Sequence, residues 1–325
     1  MRKSVLKWSL GLVLVLAAPA ANAGPEGVRH GAPAGDGLDF PSEIRLKAET
    51  DRYSHFEVSF PSARKSPFPV NDTVWGHLYL PRIPPWVSPP DGGRGLPPCV
   101  LVLPVMAAPN VWIEMRFVHA FLRRGLAVMW IEMPYQFHRR PHPSIPSGQV
   151  FLARTARRLG ENFRQSIADA RRSISWLRGS GLVDGGRIGL FGISLGAAVG
   201  AAAYSVDSRP RGAVFALGGA DFPDLVFRSS MTGPFLKKSG IREEELREAW
   251  RGIDPMEYRE ENRGKPVVLV NARGDSVVPP ENARRLKEAF PDARQLWVPW
   301  GHYSALLHLT WMPSYAARQF SRLLR

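Results

Sequence analysis

The stretch that decides the fold is Gly-Ile-Ser-Leu-Gly at residues 192–196, a G-x-S-x-G pentapeptide. It follows a short apolar run at 187–191 and opens a run of small residues at 197–203, so it predicts a tight turn between a buried strand and a helix. Such a turn strains the serine backbone and projects its hydroxyl from the sheet. Glycines are needed on either side because a Cβ there would collide with the strand and the helix. Ser194 is therefore the candidate nucleophile.

Short, almost unbroken apolar runs recur along the chain and are typical of strands buried on both faces of a parallel sheet. They lie at residues 100–103, 126–131, 187–191, 213–217, 267–270 and 295–298. Helices are predicted between them, near residues 110–124, 149–178, 194–205, 281–290 and 303–324. This alternation predicts an α/β fold built on a doubly wound, mostly parallel sheet.

The segments outside this alternation define the predicted domain organisation. Residues 55–60 and 74–80 alternate like strands and are expected to extend the sheet at its N-terminal side. Residues 24–50 are rich in Gly, Pro and charge and are predicted to form a flexible lead-in to one domain at 51–325. A polar, helix-prone insertion at 218–264 is a candidate cap over a site.

The first 23 residues have the pattern of a cleavable signal peptide. A basic leader precedes the apolar run at 8–18, and the segment ends in the small residues Ala21 and Ala23 at the required spacing. The apolar run is far shorter than the ~20 residues that a membrane-spanning helix needs. We therefore predict cleavage after Ala23, no transmembrane anchor, and a secreted or periplasmic mature protein.

A serine nucleophile needs a base and an acid that orients the base, and the chain supplies both at the ends of later strands. Asp275 follows the apolar run at 267–270, and His302 follows the run at 295–298. Open α/β sheets build their sites at the carboxyl ends of strands, so the three side chains are expected to meet. His302 is assigned as general base and then acid, and Asp275 as the group that fixes its imidazole. The alternative candidates are Asp221 and His308.

With these residues in the order Ser–Asp–His, the chain from about residue 74 to 325 resembles the α/β-hydrolase superfamily. The phrases that carry the resemblance are GISLG, RGDSVVPPENARRL and WGHYSALL, and they are similar to those of dienelactone-hydrolase-like and esterase or acyl-peptidase branches. The resemblance implies an α/β-hydrolase fold with a small helical cap and a serine esterase activity. It also implies an oxyanion hole formed by the backbone N–H of Leu195 and one from the loop after residue 103. Met106 is the preferred second donor there, with Val105 as the alternative.

Composition excludes several other classes of site. The single cysteine, Cys99, rules out a disulfide framework and cysteine-rich metal sites, and no nucleotide-binding glycine pattern follows the first buried strand. Neither a metal nor a cofactor is therefore predicted. The net charge of +14 raises the question of nucleic acid, but residues 116–178 concentrate twelve arginines against three acidic residues. We interpret this excess, and the proline-rich loop at 138–142, as solvated surface, and predict no nucleic-acid partner.

The leading hypothesis is thus an exported serine hydrolase acting on a small-molecule, lipid or polysaccharide ester. An acyl-peptidase-like serine peptidase is the enzymatic alternative. A non-catalytic binding module on a hydrolase scaffold is the alternative from another class, although such modules usually lose a member of the triad.

Overall fold

The computed structural model describes residues 28–30, 40–82, 95–107 and 109–325, so the predicted signal peptide lies outside the described residues. Ten strands are found in this part: β1 (Val28–His30), β2 (Glu43–Glu49), β3 (Tyr53–Pro61), β4 (Thr73–Pro81), β5 (Cys99–Leu103), β6 (Ala127–Ile131), β7 (Ile188–Ile193), β8 (Gly212–Ala216), β9 (Val267–Ala272) and β10 (Arg294–Val298). The described helices are α1 (Trp112–Leu122), α2 (Ala156–Gly179), α3 (Leu195–Ser205), α4 (Phe222–Arg228), α5 (Gly233–Lys238), α6 (Glu243–Ala249), α7 (Pro280–Ala289) and α8 (Met312–Leu323).

The strands form one sheet in the order β1-β2-β3-β4-β6-β5-β7-β8-β9-β10. The pairs from β1 to β4, and the pair of β4 with β6, are antiparallel, whereas the pairs from β6 to β10 are parallel. Every residue of β5 to β9 is buried, which explains their unbroken apolar sequences. The predicted doubly wound, mostly parallel sheet with antiparallel N-terminal strands is confirmed.

Helices cover both faces of the sheet. On one face α1 and α8 pack through Phe117 and Phe320, and on the other α2, α3 and α7 contribute Leu159, Ala197 and Leu286. The predicted insertion at 218–264 contains α4, α5 and α6, which lie on the α2 side. We call α4 to α6 the cap.

The prediction of a flexible lead-in through residue 50 is wrong for β2, which occupies Glu43–Glu49 and pairs with β3 over most of its length. Its apolar residues Ile44, Leu46 and Ala48 alternate with charged ones, the pattern of a strand with one solvated face. The charges and the surrounding Gly and Pro residues concealed that alternation in the sequence. β1 pairs with β2 within the same predicted lead-in.

A buried ion pair ties the N-terminal strands to α2. Arg139 lies in the loop predicted to be solvated, yet its side chain is 0% exposed, and its Nη2 donates to Asp169 Oδ2 at 2.8 Å. Three further guanidinium hydrogens go to the carbonyl oxygens of Asn71 and Glu132. Ser62 completes the set by donating to Asp169 Oδ1 at 2.6 Å. The surface assignment of Arg139 is therefore wrong, because Asp169 and the backbone of Asn71 and Glu132 accept from all three guanidinium nitrogens.

Asp169→Ala is expected to lower the free energy of unfolding by about 3–5 kcal/mol, because it leaves a buried guanidinium without its counter-charge. Urea unfolding followed by circular dichroism measures the change. Glu281→Ala is the control, since Glu281 and Arg284 form a pair with both side chains at least half exposed, and its loss should cost less than about 1 kcal/mol. Equal losses in the two variants would contradict the expectation.

Candidate active site

Ser194 lies at the turn between β7 and α3, with φ 54° and ψ −114°. Positive φ is a strained conformation for serine, and the donation from its backbone N–H to the Ala216 carbonyl at 2.9 Å holds it in place. A Cβ on Gly192 would come within 2.2 Å of the Gly196 carbonyl oxygen, and one on Gly196 within 2.0 Å of the Leu103 oxygen. Both glycines are thus required by the close approach of helix, strand and turn, as the sequence predicted.

The structure brings the other two predicted residues to Ser194. Asp275 and His302 lie beyond the carboxyl ends of the neighbouring strands β9 and β10. His302 Nδ1 is 2.7 Å from Asp275 Oδ2, and His302 Nε2 is 3.0 Å from Ser194 Oγ. Because a carboxylate only accepts, Nδ1 carries the hydrogen and leaves Nε2 free to accept from the serine hydroxyl. The three side chains therefore form one continuous hydrogen-bonded chain.

Asp275 is itself held rigidly. Its side chain is 2% exposed, and its Oδ1 accepts from the backbone N–H groups of Val277 and Val278 at 2.9 and 2.8 Å. One oxygen thus fixes the turn that follows β9 while the other faces the imidazole. Because the two oxygens have different partners, Asp275 orients His302 without help from a further side chain.

The alternative acid and base lie elsewhere. Asp221 forms ion pairs with Arg247 on α6 and with Arg285 on α7. These two ion pairs fix the start of α4 against both helices. His308 accepts from Trp311 Nε1 at 2.9 Å through its Nδ1. Neither residue is hydrogen bonded to Ser194, so the geometry favours Asp275 and His302.

The loop after β5 distinguishes between the two candidate oxyanion donors. The Val105 N–H already donates to Glu114 Oε1 at 3.0 Å. Among the described residues, the N–H groups of Met106 and Leu195 donate to no protein acceptor, and both residues line a cavity beside Ser194. Two free amides flanking a nucleophile are what a developing oxyanion requires. The geometry favours Met106 over Val105, while the oxyanion role of both amides stays a prediction.

Two buried side chains that the sequence did not single out support this loop. Glu114 on α1 holds the Val105 N–H, and Gln136 Nε2 donates to the Val105 carbonyl at 2.8 Å. Burial raises the pKa of the Glu114 carboxyl above its usual range. No sequence signal marks either residue, because each acts only through a neighbour brought close by the fold.

The segment that carries Gln136 is held in place by hydrogen bonds between Glu132 and His138. Glu132 is buried, and its two oxygens accept from the His138 backbone N–H and from His138 Nδ1, the latter at 2.6 Å. The hydrogen bond to Glu132 raises the pKa of His138. Glu57 also raises it, whereas partial burial and Lys47 oppose the shift.

Stability is therefore expected to depend on pH through His138. The protonated imidazole contributes fully below about pH 6.5, its unfolded pKa, and the contribution is lost as pH rises through the elevated folded pKa. Urea unfolding of wild type and His138→Gln between pH 6 and 9 should show a decline in the wild type that the variant lacks. Burial lowers the pKa of nearby His55 to about 4, so His55 stays neutral over this range. His142→Gln, at an exposed position, is the control, and a decline unchanged in His138→Gln would disprove the link.

Two cavities open beside Ser194. The first, the cap cavity, has a volume of about 80 Å³ and is enclosed mainly by α2 and the cap, including Leu159, Phe163, Phe222, Val226, Leu236 and Trp250. The second, the histidine cavity, has a volume of about 160 Å³ and is lined by Ile113, Phe117, Leu217, His302, Leu309 and Met312. Ser194 thus lies where two separate apolar spaces meet.

The part of the chain that the structure describes contains neither a cluster of metal ligands nor a membrane-spanning helix. Among the described residues, no group of three or more His, Cys, Asp or Glu side chains is arranged to hold a metal ion. No helix in this part of the chain is both long and apolar enough to cross a bilayer. The sequence-based expectations about metal, cofactor and anchor remain predictions.

Comparison with known proteins identifies the fold. No protein-family model and no curated protein sequence matches the chain. Among solved structures, the acetyl xylan esterase from Paenibacillus sp. R4 superposes with a TM-score of 0.64 at 17% identity, over 85% of this chain and 88% of the esterase. Acetyl xylan esterase 1 from Thermoanaerobacterium sp. JW/SL YS485 gives 0.63 at 14% identity, over 87% and 89%. The chain has the α/β-hydrolase fold.

A third similar structure of the α/β-hydrolase fold belongs to a longer protein. The Mycobacterium tuberculosis puromycin-hydrolyzing peptidase superposes with a TM-score of 0.59 at 18% identity, over 92% of this chain but only 45% of the peptidase. At these identities the likeness concerns the fold. The fold accounts for the position of Ser194, since the turn after β7 lies in the middle of the parallel sheet, with strands on both sides.

Proposed function

We propose that the protein is an exported serine hydrolase that cleaves a carboxylic ester through an acyl-enzyme intermediate. The observation that carries the proposal is the continuous chain from Asp275 through His302 to Ser194, on the strained turn of an α/β-hydrolase fold. Such a chain lets a base take the serine proton as the oxygen attacks. The esterases among the similar structures support the same class of substrate.

In the first half-reaction Ser194 Oγ attacks the ester carbonyl carbon and its proton passes to His302 Nε2. The oxyanion of the tetrahedral intermediate accepts hydrogen bonds from the Leu195 and Met106 amides, and Asp275 stabilises the imidazolium. The carbon–oxygen bond to the alcohol then breaks, and His302 donates its proton to the departing oxygen. Water attacks the acyl-serine by the reverse sequence, with His302 again as base, and releases the acid and the free serine.

A fluorophosphonate probe tests this proposal. We expect it to modify Ser194, located by peptide mass spectrometry, and to abolish hydrolysis of p-nitrophenyl esters. Folded protein that is neither labelled nor active on any ester would overturn the proposal. That outcome would instead favour a non-catalytic binding module on the hydrolase scaffold.

Peptidase activity is the second candidate, favoured by the similarity to the puromycin-hydrolyzing peptidase. Matched p-nitrophenyl esters and p-nitroanilides with the same acyl group separate the two functions. We expect kcat/KM for the ester to exceed kcat/KM for the anilide. The ratio should be much larger than the ratio of their rates of uncatalysed hydrolysis. An anilide that is turned over as fast as its ester would reverse the assignment.

The exported location rests on residues 1–23 alone. N-terminal sequencing of the protein secreted from a bacterial host should read from Gly24 onward. Retention of the full-length chain in the cytoplasm would contradict export and leave the hydrolase proposal intact.

A further inference from the structure

The cap cavity and the histidine cavity share Ser194, Met106 and Met231, and otherwise have different walls. His302 lines only the histidine cavity, whereas Leu195, the predicted oxyanion donor next to the nucleophile, lines only the cap cavity. A substrate carbonyl on Ser194 Oγ therefore has one apolar space to either side. This asymmetry allows each cavity to be assigned to one half of an ester.

We propose that the preferred substrate is an ester of a short acyl chain, of about three to four carbons, with a compact apolar alcohol of benzyl size. The acyl chain occupies the cap cavity and the alcohol occupies the histidine cavity. The proposal rests on the proposed hydrolase function and names the substrate class for that site.

The direction of proton transfer determines which half goes where. The departing alcohol oxygen must receive its proton from His302 Nε2, so the alcohol has to lie on the side of the serine that His302 faces. Only the histidine cavity satisfies this condition. The acyl group, which stays on Ser194 after the alcohol leaves, then extends into the cap cavity past Leu195.

The size of the cap cavity limits the acyl chain. Three packed aromatic rings line it, with Phe163 5.0 Å from Phe222 and 5.5 Å from Trp250 between centroids. A volume of about 80 Å³ is roughly half that of the apolar cavity of about 150 Å³ known to admit the six carbons of benzene, so it accommodates about two to three carbon atoms. Adding the carbonyl carbon gives an acyl chain of about three to four carbons.

The cap cavity offers few partners for a polar acyl group. Besides the nucleophile, its only hydroxyl-bearing residues are Ser229 and Thr232. Ser229 Oγ accepts from backbone N–H groups, and Thr232 Oγ1 donates to the Val226 carbonyl at 2.6 Å. Both hydroxyls are engaged by the main chain of the cap, which favours an unsubstituted alkyl chain.

The histidine cavity offers few hydrogen-bond partners to a sugar. Its polar side chains are those of Ser194, His302 and Tyr303, and the first two are engaged with each other. Each buried sugar hydroxyl without a partner weakens binding by about five- to 150-fold. By contrast, a cavity of about 160 Å³ is close to the 150 Å³ known to admit benzene when lined by apolar side chains. The proposed alcohol site of this chain is therefore unlike a site for an acetylated polysaccharide, which would need polar partners for the sugar hydroxyls.

A substrate panel on the wild-type protein tests both halves. For benzyl esters, kcat/KM should be highest for propionate or butyrate and fall at least about tenfold by octanoate, because the small volume of the cap cavity leaves no room for further methylenes. The kcat/KM for benzyl acetate should exceed those for glycerol monoacetate and acetylated xylose by at least about tenfold. Activity that rises toward octanoate would overturn the acyl assignment, and preference for either polyol ester would overturn the alcohol assignment.

Two half-buried positions give matched variants that separate the cavities. Val226→Phe on the cap should lower kcat/KM for benzyl butyrate at least about tenfold relative to benzyl acetate. Ile113→Trp on α1 should lower kcat/KM for benzyl acetate relative to kcat/KM for ethyl acetate by a similar factor. It should leave the dependence of kcat/KM on acyl-chain length unchanged. The two variants would show exchanged effects if the cavities hold the opposite halves, which would overturn the assignment.

Fluorophosphonate labelling of the same preparations keeps this test distinct from that of the hydrolase function. Labelled Ser194 without the expected substrate pattern would refute the inference and retain the nucleophile. Absence of both labelling and ester turnover would refute the proposed function itself. Leu307→Ala, at a 62% exposed position outside both cavities, is the control and should leave both profiles as in the wild type.

Discussion

Ser194→Ala is expected to lower kcat for ester hydrolysis by about 10⁴–10⁶ and to abolish fluorophosphonate labelling, because no other group can form the acyl-enzyme. Alanine retains the Cβ and the backbone N–H that donates to Ala216, so the strained turn should persist. The midpoint of thermal unfolding should therefore stay within a few degrees of the wild-type value, about the shift that 1 kcal/mol produces in a chain of this size. Initial rates on p-nitrophenyl butyrate and differential scanning calorimetry measure the two quantities.

The control for this variant is Ser144→Ala, which removes an exposed hydroxyl bonded only to His142. It should leave both the rate and the unfolding midpoint unchanged. Residual activity in Ser194→Ala above a hundredth of the wild-type rate would contradict a covalent serine mechanism. A direct attack of water, activated by His302, would then be the simpler account.

Asp275→Asn should lower kcat by about 10⁴ with almost no loss of stability. The asparagine carbonyl can still accept from the N–H groups of Val277 and Val278, so the turn after β9 is retained. Its NH₂ group now faces His302 Nδ1, which must accept and so shifts the ring hydrogen to Nε2. That tautomer cannot take the serine proton.

Comparing Asp275→Ala with Asp275→Asn separates the two roles of Asp275, which are to orient the His302 ring and to support the turn after β9. It removes the acceptor for both backbone N–H groups as well as the histidine partner, so it should lower activity and the unfolding midpoint together. Asp292→Asn is the matched control, since its exposed carboxylate accepts from the Gly264 N–H and not from the turn after β9. Wild-type activity in Asp275→Asn would show that the 2.7 Å contact with His302 does not set the tautomer.

The parts of the fold that could be predicted from sequence are those with a local signal. A strand buried on both faces must be apolar throughout, so β5 to β9 stand out as short apolar runs. The turn at Ser194 is equally local, because its glycines are needed by atoms within a few residues and by the adjacent strand. Strand ends then placed Asp275 and His302 at one edge of the sheet.

Features that depend on distant partners could not be predicted. β2 alternates between charged and apolar residues, and only its pairing with β3 shows which face is covered. Arg139 has the sequence context of a solvated loop, but Asp169, thirty positions later, supplies the counter-charge that allows burial. Glu114 and Gln136 hold the Val105 backbone from two separate elements.

The sequence by itself predicted Ser194 as candidate nucleophile and Asp275 and His302 as its candidate partners, and it determined the class of sheet. Close packing at the G-x-S-x-G turn and burial of parallel strands restrict the residue type at each position. Only the tertiary structure decided how the site is shaped. The cap and α2 close one cavity around Trp250, and α1 and α8 enclose the other beside His302. The volume of a cavity depends on how side chains from elements far apart in the sequence pack together, and no local pattern encodes that packing.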